Sequence, residues 1–262
     1  MNMQTSTVMA PPAPKTLAQM QLPLAMMRDI LIKSMFRMNA NLVTEMSRVI
    51  CLPVNVVQEL VDLCRQQRLI EATGTLNANS GNEMGYQLTD QGKARAQDAL
   101  KQSEYFGAMP VPLDVYRVQI ERQSIRNIAI TRDQLSNAMG HLILPPALLG
   151  NLGPAVGAGR SILMYGPPGN GKSSISNGIR DALGDKIFVP RAIEFAGQVI
   201  TVYAPIVHSS AEADIDDPNS LRRTSGRYDT RYVRCERPTV ITGGELTLDM
   251  LDLVYNPTAR TY

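Results

Sequence analysis

The chain is poor in the features that mark several large classes of protein. Its three cysteines, Cys51, Cys64 and Cys235, are odd in number, widely spread and form no C-x-x-C pair. That excludes a disulfide framework and a cysteine zinc site, and points to a reducing compartment, the cytoplasm. Their expected role is as small buried hydrophobes. The two histidines, His141 and His208, stand alone with no ligand cluster around them, and are read as structural or exposed. The net charge of +2 is close to neutral and supports no broad nucleic-acid or membrane surface. The longest uncharged stretch, residues 138–159, is broken by Pro145, Pro146, Pro154 and several glycines, so no membrane span is expected. Residues 1–22 are rich in Met, Gln, Pro and Thr with Lys15 as their one charge. They lack a signal-peptide core and read as a disordered tail. No internal repeat is visible.

Against that background one motif stands out. Residues 166–173 read GPPGNGKS, which fits the P-loop pattern G-x-x-x-x-G-K-[ST]. The apolar run Ile162, Leu163, Met164, Tyr165 leads into it and reads as a short buried strand. Residues 174–183 read as a helix, with Ile175, Ile179 and Leu183 on one face. Strand, glycine loop and helix form the setting this chemistry needs. Gly166, Gly169 and Gly171 let the backbone turn tightly and approach a phosphate chain. Pro167 and Pro168 have no N–H and serve to stiffen the loop. The cradle therefore falls to the amides of Gly169, Asn170, Gly171, Lys172, Ser173 and Ser174, at the positive end of the helix. Lys172 would reach the β- and γ-phosphates of a nucleotide, and the Ser173 hydroxyl would sit on Mg²⁺. A ligand-free glycine turn would need neither Lys172 nor Ser173.

The N-terminal third reads as a second unit. Leu24–Asn39, Leu42–Ile50 and Pro53–Gln67 carry apolar residues at helical spacing. Two strands, Leu69–Thr73 and Gly85–Leu88, flank a turn-rich segment, and Thr89 or Asp90 caps a last helix running to about Ser103. The order is that of a winged helix-turn-helix, and the run YQLTDQGKARA at residues 86–96 resembles the end of many bacterial winged-helix domains. DNA binding is the obvious use of such a unit, but it is disfavoured. The third helix sets Glu59 and Asp62 against Arg65 and Arg68, and residues 1–105 hold about ten basic and nine acidic side chains. Contact with protein, including self-association, fits that balance better.

Residues 105–113 read as a linker whose aromatic and apolar residues pack on a neighbour. Helices are expected at Asp114–Ser124, at Thr131–Met139 with Thr131 as cap, and around Ala147–Val156. The stretch from Leu152 to Ser174, LGPAVGAGRSILMYGPPGNGKSS, resembles the approach to the nucleotide site of AAA+ ATPases, whose loop carries a double proline. The resemblance implies a bacterial AAA family ATPase with an N-terminal winged helix, of the kind with chaperone-like activity. ATP and Mg²⁺ are then the cofactors, with a homo-oligomeric ring and a protein client as partners. The expected fold is a small α+β winged-helix domain at 23–104, the linker at 105–113, and an α/β P-loop NTPase domain with an incomplete parallel sheet at 114–262.

Hydrolysis needs an acidic residue at the end of a second apolar strand. Residues 213–217 have acids but no strand before them. Residues 239–245 have a short strand followed by Thr242 and two glycines, and residues 248–254 have helical spacing. No sensor residue or arginine finger is identifiable, and the catalytic residues stay unassigned. The expectation is an N-terminal piece of a longer ATPase, able to bind ATP here and to hydrolyse it when complete; the alternative is a complete, degenerate nucleotide-binding protein. Two other functions stay open: a nucleotide-controlled DNA-binding regulator and a P-loop small-molecule kinase. Guanine recognition is not expected, because no N-K-x-D sequence occurs. Strands are expected at Ile187–Pro190 and Val199–Pro205. The arginine-rich stretch Arg222, Arg223, Arg227, Arg231, Arg234, Arg237 is read as pairing internally with nearby acids such as Asp229 and Glu236.

Overall fold

Apolar spacing and end signals set the helices of the first half. In the computed structural model, which describes residues 8–78, 81–127, 130–158, 162–183, 186–211 and 228–238 together with 247, 249, 252 and 254, they are α1 (Leu24–Met38), α2 (Val43–Ile50) and α3 (Val54–Gln66). α1 stops at Asn39 and α2 at Cys51, each left-handed with φ of 50° and 56°. Asparagine tolerates that conformation better than most residues. Pro53 precedes α3 as its N-cap. β1 (Ile70–Ala78) and β2 (Gly81–Leu88) form an antiparallel hairpin from Ile70↔Leu88 to Ala78↔Gly81, with an irregularity between Ala72 and Gly74. Both strands run further toward the tip than the sequence pattern indicated. Thr89 then caps α4 (Asp90–Gln102) by accepting the Gly92 N–H at 3.0 Å.

These elements share one core, centred on Ile30, Leu31, Ile50, Val56, Val57, Leu60 and Val61, all 2% exposed or less. α1 and α4 are joined across it by Arg95, whose guanidinium grips Asp29 in two bonds of 2.6 and 3.2 Å. Residues 8–22 do not behave as the tail their composition suggested. A short 3-10 turn at Leu17–Met20 packs Leu17 and Met20 into the core, and Leu22 follows them. The apolar residues outweigh the Pro- and Gln-rich background, because a buried docking face is available to them.

The linker region is equally committed. Met109 and Val111 are fully buried, and the Met109 N–H donates to the Ile50 carbonyl. β3 (Val111–Pro112) leads into α5 (Leu113–Arg122). β3 runs parallel to β5 (Ala192–Phe195), which forms a hairpin with β6 (Gln198–Thr201). The hairpin turns on Ala196 and Gly197, both with positive φ, as a two-residue connection requires. β4 (Lys186–Pro190) pairs antiparallel with β7 (Tyr232–Glu236), from Lys186↔Glu236 to Pro190↔Tyr232. β5 and β7 had no clear signal in the sequence, and the strand expected at Val199–Pro205 ends at Thr201.

A buried turn joins these parts. Asp229 and Arg231, 3% and 5% exposed at the side chain, form an ion pair at 2.7 Å. Arg231 also donates to the Pro110 carbonyl at 3.2 Å. Thr230 donates to the Cys51 carbonyl at 2.9 Å. The Asp229 and Arg191 amides donate to the Pro11 and Arg231 carbonyls, each at 2.9 Å. Arg231 is thus paired internally, as expected of the arginine-rich stretch.

The remaining helices form a separate small cluster. α6 (Arg132–Ala138) opens on a capping box between Thr131 and Gln134. α7 (Pro146–Gly157) and α8 (Lys172–Leu183) follow. Their shared core is Leu135, Met139, Leu152 and Ile175. The chain is therefore mixed α/β, with three small sheets among the described residues. Among the described residues, the parallel sheet expected around the glycine loop is not formed. Ile162–Tyr165 is irregular, with Leu163 85% and Tyr165 90% exposed. An apolar run becomes a strand where a neighbour takes its N–H and C=O groups, and none of the described strands pairs with it. No described helix is long and apolar enough to cross a membrane.

Candidate functional site

The glycine loop lies between this exposed run and α8. Its conformation follows from its residues. Gly166, Gly169 and Gly171 have φ of +143°, +88° and +70°. That region is strained for any residue with a Cβ, and three such positions in six residues coil the backbone back on itself. Pro167 and Pro168 hold the rising side, and Asn170 lies exposed at the crest.

Lys172 closes the loop. Its ammonium donates to the carbonyls of Gly166 at 2.9 Å and Pro167 at 2.7 Å. Among the described residues it forms no ion pair. A cation is thus folded back onto the loop and held by two of its carbonyl oxygens. Lys172 and Ser173 are the first two residues of α8. The first four N–H groups of a helix have no acceptor within it, and they carry the positive end of its dipole. The helix proper is sealed by the Ile175 N–H donating to the Gly171 carbonyl at 2.9 Å, and Ser176 Oγ donates to the Lys172 carbonyl at 3.2 Å. Ser173 is exposed and Ser174 half-buried, so the Ser173 hydroxyl is accessible beside the loop.

α8 is held from behind. Ile175 is buried in the α6–α7–α8 core, and Gly178 faces α6 so closely that a Cβ there would fall 2.7 Å from Met139 Cγ. Met164 is half-buried on the same core while its neighbours point outward. Of the apolar face read for this helix, Ile175 is buried and Ile179 and Leu183 are half-buried.

The structure brings Gly166, Pro167, Pro168, Gly169, Asn170, Gly171, Lys172, Ser173 and Ser174 into one continuous turn. Among the described residues no acidic partner reaches them by hydrogen bond or ion pair. Among the described residues no group of three or more His, Cys, Asp or Glu side chains could hold a metal. The acidic runs at 213–217 and 239–245, and Arg222, Arg223 and Arg227, lie outside the described residues. Arg237 donates to the Gln123 carbonyl at 2.8 Å, and Arg234 lies on β7. His208 is engaged at Nδ1 with Ala204 and stacks on Tyr203, so its part there is structural. Burial pushes the Cys64 thiol up to about 12, consistent with an inert hydrophobe.

Sequence reading missed two buried amides. Gln119 on α5 and Gln123, the C-cap that follows it at i+4, bond to each other at 3.3 Å, and Gln123 both accepts from and donates to the Phe188 backbone. Their spacing on one helix face was the available signal. No protein-family model, curated protein or solved structure matches this chain.

Proposed function

We propose that this chain binds Mg-ATP in the loop from Gly166 to Ser174. The observation that carries the reading is the Lys172 ammonium folded onto the Gly166 and Pro167 carbonyls at the first turn of α8. A plain strand-to-helix turn needs no such cation. The donor set fits a polyphosphate: left-handed glycines that coil the backbone, helix-start amides, one ammonium without an ion pair among the described residues and one accessible hydroxyl. Amides of Gly169, Asn170, Gly171, Lys172, Ser173 and Ser174 would hold phosphate oxygens. Lys172 would exchange its carbonyl partners for phosphate, and Ser173 would ligate the metal through Oγ. Mg²⁺, when bound, would neutralise the phosphates' negative charge. Asp or Glu ligands are not required for that binding, since the phosphates supply oxygens of their own.

ATP over other nucleotides, the winged-helix reading of residues 23–104, and an AAA+ ring that hydrolyses ATP to remodel a protein client all rest on the resemblance of residues 152–174 and 86–96. Support for the winged helix comes from the order of α1, α2, α3, β1, β2 and α4. The test separates the readings by where the γ-phosphate goes. Radiolabelled ATP is incubated with the protein and a pool of small metabolites. Free phosphate, absent in Lys172→Ala, supports an ATPase. Label on a small acceptor would replace that reading with a kinase. Neither product, with nucleotide still bound, would leave a binding protein.

A further inference from the structure

Residues 9–22 contact two regions that the buried turn at Asp229–Arg231 and the Met109 amide also link. At one end Val8 and Ala10 pack beside Val111, Phe188 and Tyr232, under α5 and β7. There the Met9 carbonyl accepts from Gln119 Nε2 at 3.1 Å, and the Pro11 carbonyl accepts from the Asp229 N–H at 2.9 Å. At the other end Leu17, Met20 and Leu22 are buried in the core of the helical unit. There the Lys15 carbonyl accepts from Asn55 Nδ2 at 2.8 Å, and the Leu17 N–H donates to Glu59 Oε2 at 3.1 Å. Asn55 and Glu59 lie one turn apart on α3, and both are exposed. They belong to its outward row, opposite the buried Val56, Val57, Leu60 and Val61.

We propose that residues 9–22 are a two-anchor strap that couples the N-terminal half of α3 to the α5–β7 face. Asn55 and Glu59 are engaged with the strap's backbone, while Gln58 bonds to the Asp62 and Tyr86 side chains. Both anchors are made by one short segment, so loosening either loosens the other, and the coupling is reciprocal.

Hydrogen exchange followed by mass spectrometry on the full chain tests this with two variants. Gln119→Leu removes the donor to Met9 at the far anchor. Glu59→Gln weakens the acceptor for Leu17 at the α3 anchor, at an exposed site that leaves folding intact. The strap account predicts that Gln119→Leu speeds exchange several-fold at residues 15–22 and at the start of α3, with α2 unchanged. It predicts that Glu59→Gln speeds exchange at residues 8–12. Changes confined to the mutated anchor in both variants would overturn the coupling. If Gln119→Leu speeds exchange everywhere, α2 included, that variant has unfolded and Glu59→Gln alone decides.

Discussion

Replacing Arg231 by methionine tests the account of how the two halves are held together. The substitution keeps the length and apolar volume of the side chain and removes its charge. Asp229 then loses three of its bonds, from Nε at 3.1 and 3.0 Å and from NH2 at 2.7 Å. Its carboxylate is 3% exposed and cannot turn to water. Removing one partner of a buried pair costs about 3–5 kcal/mol. The retained bond from the Arg231 N–H to Asp229 Oδ1, at 3.0 Å, places this case at the low end. The Pro110 carbonyl also loses its donor, which adds about 1 kcal/mol. The expected loss is about 4 kcal/mol, or roughly 10 °C in Tm for a chain of this size. Urea and thermal unfolding by circular dichroism read it directly. Asp229→Asn added to Arg231→Met removes the stranded charge and should recover more than half of the loss. The exposed pair Arg117–Asp114 serves as the control, and Arg117→Met should cost less than about 1 kcal/mol. An Arg231→Met protein within about 1 kcal/mol of wild type would refute the reasoning, since the turn would then not be a buried clasp.

Two further outcomes follow from the helical unit. A methyl group added at Gly92 would run into the Leu69 backbone carbonyl. Gly92→Ala should therefore destabilise by roughly 2–3 kcal/mol in urea unfolding, despite alanine's better helix propensity. Lys33 is 5% exposed with its ammonium on the Ser103 carbonyl at 3.1 Å. Burial pulls its pKa down to about 8 from 10.5, partly offset by Asp29. The folded state thus disfavours the charged form. The penalty is fully present below pH 8 and disappears as pH rises toward 10.5, amounting to about 3 kcal/mol. Stability relative to Lys33→Met should rise across that window. The paired comparison removes Cys64 and Tyr105, whose raised pKa values act in the opposite sense. A difference that does not change with pH would contradict the burial.

The helices were legible because each has a local cause: helical apolar spacing, Thr89 and Thr131 as caps, and the two prolines before α3 and α7. The glycine loop was legible for the same reason, its left-handed positions being glycines. What could not be read depends on distant partners. β5 and β7 are four and five residues long, and they become strands through β3, β6 and β4. Internal pairing of Arg231 with an acid such as Asp229 was legible, but its burial under the Pro110 carbonyl was not. Ile162–Tyr165 shows the converse, an apolar run with strand character that the described strands leave unpaired. Residues 8–22 were misjudged because composition averages over a segment, whereas burial is decided by Leu17, Met20 and Leu22 one at a time.

Titration calorimetry of Mg-ATP into the full chain, beside Lys172→Ala, addresses the nucleotide site most directly. The loop account predicts saturable binding to wild type that weakens at least tenfold in Lys172→Ala and falls when EDTA removes the metal. Equal binding by both proteins, or none by a folded wild type, would contradict a phosphate site at Gly166–Ser174.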